Sequence, residues 1–178
     1  VEASNPFSYN LNDELWLHET EGRTIVAGDN SIWTRVLGAE EEWKEYSLAP
    51  EHSLDGMTSY DGTVVLSVKV DGGYGAREIL FLDAQTLQSV KPAIEFPTRM
   101  RVRWADTEGI VLSLRGTAVY LIPQGATEWK EATLLASYPG KPEEMILIND
   151  VLWSLASDQR LVAYDMRNPA SPVEVGEI

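Results

Sequence analysis

The stretch EEWKEYSLA at residues 41–49 returns as TEWKEATLLA at residues 127–136. Trp43-Lys44-Glu45 and Trp129-Lys130-Glu131 lie 86 residues apart, and each copy is followed by an apolar run typical of a β-strand. Two repeats of about 43 residues explain this displacement, and that period is the length of some four-stranded repeat units. We therefore predict a chain of repeated units. Both copies are expected in the outermost strand of a unit, where Lys and Glu discourage pairing with other chains.

Strand signals dominate the chain. Short runs rich in β-branched and aromatic residues are separated by turn residues such as Asp61-Gly62, at a spacing of about 8–12 residues. No segment longer than about ten residues keeps the apolar period of a helix. The clearest strand runs are TVVLSVKV (63–70), EILFLD (78–83), GIVLSL (109–114), TAVYLI (117–122), MILIND (145–150), VLWSLA (151–156) and RLVAYD (160–165).

Four units of four strands account for nearly the whole chain. In the second unit, MTSY (57–60) is expected to be the first strand and SVKPAIEF (89–96) the fourth. One such meander has two apolar faces, so it must stack on its neighbours to cover both. The sequence therefore predicts an all-β fold, a β-propeller of about four four-stranded antiparallel blades. The predicted blades of this single domain or propeller fragment are 11–50, 54–97, 99–137 and 143–178.

A count of four blades is compatible with three arrangements of the ring. Four blades close only into a narrow ring. The chain is therefore either a compact four-bladed ring or part of a larger ring completed by further sequence or another chain. Self-association of two half-rings would also make eight blades.

The last unit, RLVAYDMRNPASPVEVGEI (160–178), resembles the LVIVD-type repeat of bacterial and archaeal β-propeller proteins. That pattern is an apolar strand, an Asp, a connection with Asn-Pro and a second Pro, and a valine-rich strand ending in Gly. It is matched here by Asp165, Asn168, Pro169, Pro172 and Gly176. In the second unit, EILFLDAQTLQSV (78–90) is similar to a looser connection found in several propeller families. The resemblance implies a propeller from an exported bacterial protein, and it implies no activity.

Charge and composition exclude several classes of partner. The 178 residues carry 14 basic and 28 acidic side chains, a net charge of −14. Such a surface repels nucleic acid and anionic headgroups, so neither is an expected partner. No apolar run reaches the ~20 residues needed to cross a bilayer, so no membrane insertion is predicted. The absence of cysteine excludes disulfides, zinc–thiolate sites and thiol nucleophiles.

The sequence predicts no catalytic residue, metal site or cofactor. The two histidines, His18 and His52, do not form a pair with metal-ligand spacing, and neither an HExxH nor a G-x-S-x-G motif is present. SYDGT (59–63) lacks the aromatic residue that would complete an Asp-box, so a hairpin turn explains it. The glycine-rich DGGYGA (71–76) lacks the strand-to-helix context of a phosphate loop and is expected to join two strands.

One basic stretch, TRMRVRWAD (98–106), is the candidate binding site. With the two-residue period of a strand, Arg99, Arg101 and Arg103 point to one side, and Met100, Val102 and Trp104 point to the other. Neighbouring like charges repel, so an anion must compensate them. Carboxylates of the adjacent blade supply it in the structural interpretation. In the functional interpretation the three arginines, with Trp104, bind a carboxylate or phosphate of a ligand. For Trp104, packing between blades is the favoured interpretation over a role in ligand binding.

The favoured hypothesis is a non-catalytic binding domain of a secreted, periplasmic or cell-envelope protein that recognises a protein partner or a glycan. Loops at the mouth of the ring would supply the contacts because the strands are occupied with packing. The alternative is a propeller-type glycosidase or lyase with axial carboxylates as acid and base. Two carboxylates with raised pKa values in an axial pocket would favour the enzyme.

Overall fold

The computed structural model describes residues 16–28, 30–70, 77–96, 100–114, 118–137, 142–148, 151–156, 159–165, 167 and 173–178. Within these ranges the chain forms β-strands and one short 3₁₀-helix, and no helix is long and apolar enough to cross a membrane. The elements are β1 Trp16–Thr20, β2 Arg23–Ala27, β3 Ser31–Val36, β4 Lys44–Ser47, β5 His52–Tyr60, β6 Thr63–Val70, β7 Arg77–Asp83, β8 Ile94–Phe96, β9 Met100–Ala105, β10 Gly109–Leu114, β11 Ala118–Pro123, 3₁₀-helix η1 Trp129–Glu131, β12 Thr133–Ser137, β13 Pro142–Ile148, β14 Val151–Ala156, β15 Leu161–Asp165 and β16 Val173–Glu177.

These strands form four separate antiparallel meanders. Sheet 1 is β1–β4, sheet 2 is β5–β8, sheet 3 is β9–β12 and sheet 4 is β13–β16, each in sequence order. Every pairing within a sheet is antiparallel, from β1 on β2 to β15 on β16. The prediction of about four four-stranded units is therefore confirmed.

The burial pattern of strand β6 shows which sheets lie on the two sides of sheet 2. Five consecutive residues, Val64 to Val68, are buried, so both faces of the strand are covered. Val64 and Leu66 belong to an apolar cluster shared with sheet 1, whereas Val65 belongs to a cluster shared with sheet 3. Because successive side chains point to opposite faces, sheet 2 lies between sheets 1 and 3.

The sheets are arranged side by side with their first strands inward. The first strands contact one another in the order β1, β5, β9 and β13. A third apolar cluster joins Val111 and Val119 of sheet 3 to Leu152 of sheet 4. Four stacked meanders whose first strands are adjacent are the blades of a β-propeller, as predicted.

The turn after the third strand explains part of the sequence pattern. The Oδ1 atom of Asp83 accepts hydrogen bonds from the backbone N–H of Gln85 (3.0 Å), and from the N–H and hydroxyl of Thr86 (2.7 and 2.9 Å). These hydrogen bonds, those of Thr86 foremost, lower the pKa of Asp83. Asp165 occupies the corresponding position after β15 and accepts from the N–H of Arg167 at 3.0 Å. The Asn-Pro and second Pro of the LVIVD-like segment lie outside the described residues.

The two EWKE copies differ in structure, and the prediction for the second copy is wrong. The first copy enters β4, the exposed outer strand of sheet 1, as expected. In the second copy, Trp129–Glu131 forms η1 just before the outer strand β12. The carboxylate of Glu131 accepts hydrogen bonds from the N–H groups of Thr127 and Glu128, both at 2.9 Å, and so closes a turn in place of extended backbone.

Strand β5 begins earlier than the sequence predicts, at His52 and not at Met57. The pairing of Leu54 with Val68 and of Gly56 with Ser67 leaves Asp55 as an extra residue, so Asp-Gly here is a β-bulge and not a turn. The fourth strand of this sheet is shorter than expected, because β8 spans only three residues.

Gly56 allows the inner strands of sheets 2 and 3 to approach closely. A Cβ atom at Gly56 would lie 2.9 Å from Cγ of Arg101, 3.0 Å from Oγ of Ser67 and 3.1 Å from the backbone oxygen of Val102. The Ser67 hydroxyl also links the two strands, since it accepts a hydrogen bond from the N–H of Val102 at 3.2 Å and donates to the Gly56 carbonyl at 3.4 Å.

We expect Gly56→Ala to lower the free energy of unfolding by about 1–3 kcal/mol, because the added methyl group forces β5 and β9 apart. Gly176→Ala is the matched control, since no atom lies within 4 Å of its Cβ position. Urea denaturation of both variants measures the difference. Equal stability of the two variants would contradict the close approach.

His18 on β1 makes stability depend on pH. Burial lowers the pKa of His18 below its usual value of 6.5. The unfolded chain therefore binds a proton more readily, and stability falls as the pH drops through the unfolded pKa toward the folded one. We expect His18→Asn to lose less stability than wild type between about pH 8 and about pH 5.5 in urea denaturation. The same loss in both proteins would show that His18 is not responsible.

Candidate functional site

A fully buried carboxylate lies at the inner edge of sheet 2. Asp55 is the extra residue of the β5 bulge, and its side chain has no exposed surface. A bulge redirects the side chain of its extra residue, which here turns the carboxylate toward three cations. Burying a charged group away from water costs free energy unless an opposite charge pairs with it. These cations are therefore required for the carboxylate to be buried.

Three strands supply the cations around Asp55. Lys69 of β6 places Nζ 3.4 Å from Oδ1, and Arg77 of β7 places Nη2 3.5 Å from Oδ2. Arg101 of β9, in the neighbouring sheet, places Nη2 3.5 Å from Oδ1. We call Lys69, Arg77 and Arg101 the basic cluster. It joins sheet 2 to sheet 3 by charge, next to the contact at Gly56.

The basic cluster is open on one side. The Lys69 side chain is 39% exposed and the Arg101 side chain 28% exposed, whereas Arg77 is buried. Lys69 and Arg77 flank residues 71–76, which join β6 to β7 and lie outside the described residues. The cluster therefore lies at the end of the propeller where this connection is made, and two of its side chains are partly exposed.

The four predicted site residues have different surroundings. Arg101 pairs with a carboxylate of the adjacent sheet, as the structural interpretation proposed. Arg103 donates from Nε to the hydroxyl of Ser113 at 2.7 Å, and Ser113 is the cross-strand neighbour of Arg101. Arg99 lies outside the described residues. The arginines that the structure describes thus meet near Ser113, and their role in binding a ligand stays a prediction.

The strict alternation predicted for this strand is wrong at Trp104. Val102 pairs with Leu112 and Trp104 with Val111, so Arg103 is an extra residue in a second bulge. Val102 consequently packs in the cluster between sheets 2 and 3, whereas Trp104 packs in the cluster between sheets 3 and 4. Trp104 is half-buried at a blade interface, which is the packing position considered in the sequence analysis.

Sequence reasoning missed Asp55, Lys69 and Arg77. Asp55-Gly56 has the composition of a tight turn, and its position before a strand hid the bulge. Lys69 and Arg77 are isolated charges at the ends of apolar runs, where basic residues are common. The sequence carried one signal, because the arginines of β9 need an anion beside them. It did not show which residue supplies this anion, because that depends on which strand becomes the neighbour of β9.

A cavity lies between sheets 2 and 3 near the opposite ends of their inner strands. Its volume is about 270 Å³, and its walls include the β5–β6 turn and the β9–β10 turn. The Nζ atom of Lys91 lies 3.8 Å from the centre of the Phe81 ring in this cavity, and burial lowers the pKa of that lysine. Its lining includes Tyr60, Asp61, Phe81, Lys91, Asp106 and Gln124.

The described carboxylates whose pKa is shifted have a lowered pKa. Hydrogen bonds and ion pairs lower the pKa of Asp83, Glu131 and Asp165. A general acid for glycoside cleavage needs the opposite displacement. Among the described residues, no group of three His, Asp or Glu side chains is placed to hold a metal ion.

Comparison with known proteins supports the fold. No family model matches the chain, and no curated protein matches its sequence. Among solved structures, a protein of unknown function from Bacteroides caccae is 12% identical with a TM-score of 0.64, and covers 97% of this chain. A chain of a mitotic checkpoint complex is 10% identical with a TM-score of 0.61, and covers 100%.

A computationally designed protein, Ika8, is 13% identical with a TM-score of 0.58 and covers 93% of this chain. The chain spans 49% of Ika8, 60% of the checkpoint chain and 63% of the Bacteroides protein. At these identities the likeness concerns the fold alone.

We expect Asp55→Asn to lower the free energy of unfolding by about 3–5 kcal/mol, because it leaves three cations close together without their buried counter-charge. The loss should shrink with added salt, which screens the repulsion. Glu177→Gln is the control, because Glu177 pairs with Arg160 at the surface and little change is expected. Urea denaturation at low and high salt measures both variants. A mild effect at Asp55 would show that this carboxylate does not hold the cluster together.

Proposed function

We propose that this chain is a non-catalytic β-propeller binding domain whose basic cluster recognises the carboxylates of an acidic glycan. The carrying observation is that Lys69 and Arg101 pair with a fully buried carboxylate while their side chains stay 39% and 28% exposed. Cations positioned before the ligand arrives lose little freedom when it binds.

The two partly exposed cations of the cluster are not tightly hydrogen-bonded to Asp55. The Nη2 atom of Arg101 lies 3.5 Å and the Nζ atom of Lys69 lies 3.4 Å from Oδ1 of Asp55, and both distances are longer than a tight charge-assisted hydrogen bond. A ligand carboxylate can therefore approach these two cations beside Asp55, with Arg77 as the buried support.

Overall charge favours a small ligand with few anionic groups. The protein has a net charge of −14, which repels an extended acidic protein surface. A short uronic-acid oligosaccharide carries only a few carboxylates, so short-range pairing at the cluster has less repulsion to overcome. Strand β9 also provides Arg103, two residues after Arg101, as a second guanidinium.

A binding role agrees better than catalysis with the carboxylates described above, because their displaced pKa values are lowered and none of these three is prepared to donate a proton. We place the protein in a secreted, periplasmic or envelope location. Support for this comes from the likeness of residues 160–178 to LVIVD-type repeats. A folded protein partner remains the competing ligand class, and the experiment below includes it.

Calorimetric titration with a galacturonic-acid trisaccharide tests the proposal. Wild type should bind it, should bind the methyl-esterified trisaccharide much more weakly, and should lose affinity as salt rises. Arg101→Glu should abolish binding because it replaces the fork by a repelling charge. Lys69→Gln should weaken binding by about tenfold, as expected for one charge-assisted hydrogen bond.

Lys130→Gln is the control, because Lys130 is exposed on η1 and pairs with Glu128. Circular dichroism verifies that each variant is folded, and Lys69→Gln keeps two arginines on Asp55 if Arg101→Glu is unstable. Equal affinity for the acidic and esterified sugars would overturn the proposal. Binding of an acidic peptide but not of the trisaccharide would assign the site to a protein partner.

A further inference from the structure

Each pair of consecutive sheets shares an apolar cluster, but the described residues provide no such cluster between sheet 4 and sheet 1. The three clusters join sheet 1 to sheet 2, sheet 2 to sheet 3, and sheet 3 to sheet 4. Likewise, first strands contact in the order β1, β5, β9 and β13. In the part of the chain that the structure describes, sheets 1 and 4 are therefore the two ends of the stack.

The outer face of sheet 1 carries a row of apolar residues. Ile25 and Ile32 are buried against sheet 2, so their neighbours in the strands point to the opposite side. Leu17 of β1 pairs with Val26 of β2, and Val26 pairs with Trp33 of β3. Leu17 is 70% exposed. We call Leu17, Val26 and Trp33 the sheet 1 outer face.

The outer face of sheet 4 carries a mainly apolar row, in which Asp165 of β15 lies between Val151 and Val173. Leu152 packs toward sheet 3, so Val151 and Trp153 point away from it. Ile148 of β13 pairs with Val151 and is 49% exposed, and Val173 lies in the same row on β16 and is 59% exposed. The sheet 4 outer face consists of Ile148, Val151, Trp153, Leu155 and Val173.

We propose that two copies of this chain associate head to tail, with the sheet 4 outer face of each copy packed on the sheet 1 outer face of the other. The new junction continues the stacking that already joins sheet 3 to sheet 4 within one copy. Two copies related by a two-fold axis then complete a ring of eight sheets with two equivalent junctions, and no apolar face is left open.

A second copy is the favoured occupant for two reasons. The chain superposes along 93–100% of its length on 49–63% of three longer chains, so its four sheets are arranged as an arc that other propellers continue. A second copy also offers both faces at once, each a three- or four-strand row of similar polarity. This inference does not depend on the proposed glycan site, which lies between sheets 2 and 3.

Light scattering after size-exclusion chromatography measures the mass of the 178-residue chain. We expect about twice the monomer mass of 19.8 kDa at micromolar concentration. Each copy carries a charge of −14, so the association should tighten as salt screens the repulsion, unlike an association through ion pairs.

Two charge substitutions test the faces separately. Leu17→Glu and Ile148→Glu should each raise the dissociation constant by about tenfold or more, because each places a charge in an apolar junction. Leu134→Glu is the control, since Leu134 is 47% exposed on β12 and belongs to neither outer face. Leu17 and Ile148 are already exposed in the single chain, so their variants are expected to fold.

Mixing the two variants decides the orientation. In a head-to-tail ring of the two variants, the intact sheet 4 face of Leu17→Glu meets the intact sheet 1 face of Ile148→Glu at one junction, and both substitutions fall in the other junction. The mixture should therefore form two-copy species at a protein concentration where each variant alone is monomeric. A monomeric wild type, an open series of larger species, or dissociation by only one of the two substitutions would overturn the proposal.

Discussion

Two-sided burial of each sheet is the constraint on which the rest of this structure depends. In β6, five consecutive buried residues leave no face for solvent, and alternate side chains go to sheet 1 and to sheet 3. A four-stranded meander with this composition is unstable alone, because one of its faces would remain in water. The order of the chain therefore becomes the order of the stack, and the two ends of the stack present apolar rows.

Polar groups at the inner strands are tolerated because two bulges and one glycine accommodate them. The bulge at Asp55 turns a carboxylate inward, and the bulge at Arg103 reverses the direction of the following side chain. Gly56 permits the backbones to approach closely enough for Ser67 to bridge the sheets. Charge pairing and backbone hydrogen bonding thus occur at the same junction, and the basic cluster is anchored on a buried carboxylate.

Much of the fold was predictable from the sequence, because strand periodicity and residue composition are properties of short segments. The strand runs, the turn at Asp61-Gly62 and the division into four units followed from residues close in sequence. Predictions were wrong at two places. The first strand of sheet 2 begins at His52 and not at Met57, because a bulge at Asp55 lets the pairing with β6 continue. Trp129-Lys130-Glu131 has the alternation of a strand, but the carboxylate of Glu131 closes its backbone into a 3₁₀ turn.

The candidate site was predictable only in part. The arginines of β9 required an anion, and the sequence alone predicted that an adjacent blade could supply it. Asp55 lies 46 residues before Arg101, and only the stacking of β5 beside β9 brings their charged atoms within 3.5 Å. The sequence by itself determined the strands, their faces and the need for neighbours, because burial and β-propensity act residue by residue. The tertiary structure decided which charges meet, because that depends on how twisted sheets pack and where a bulge shifts their register.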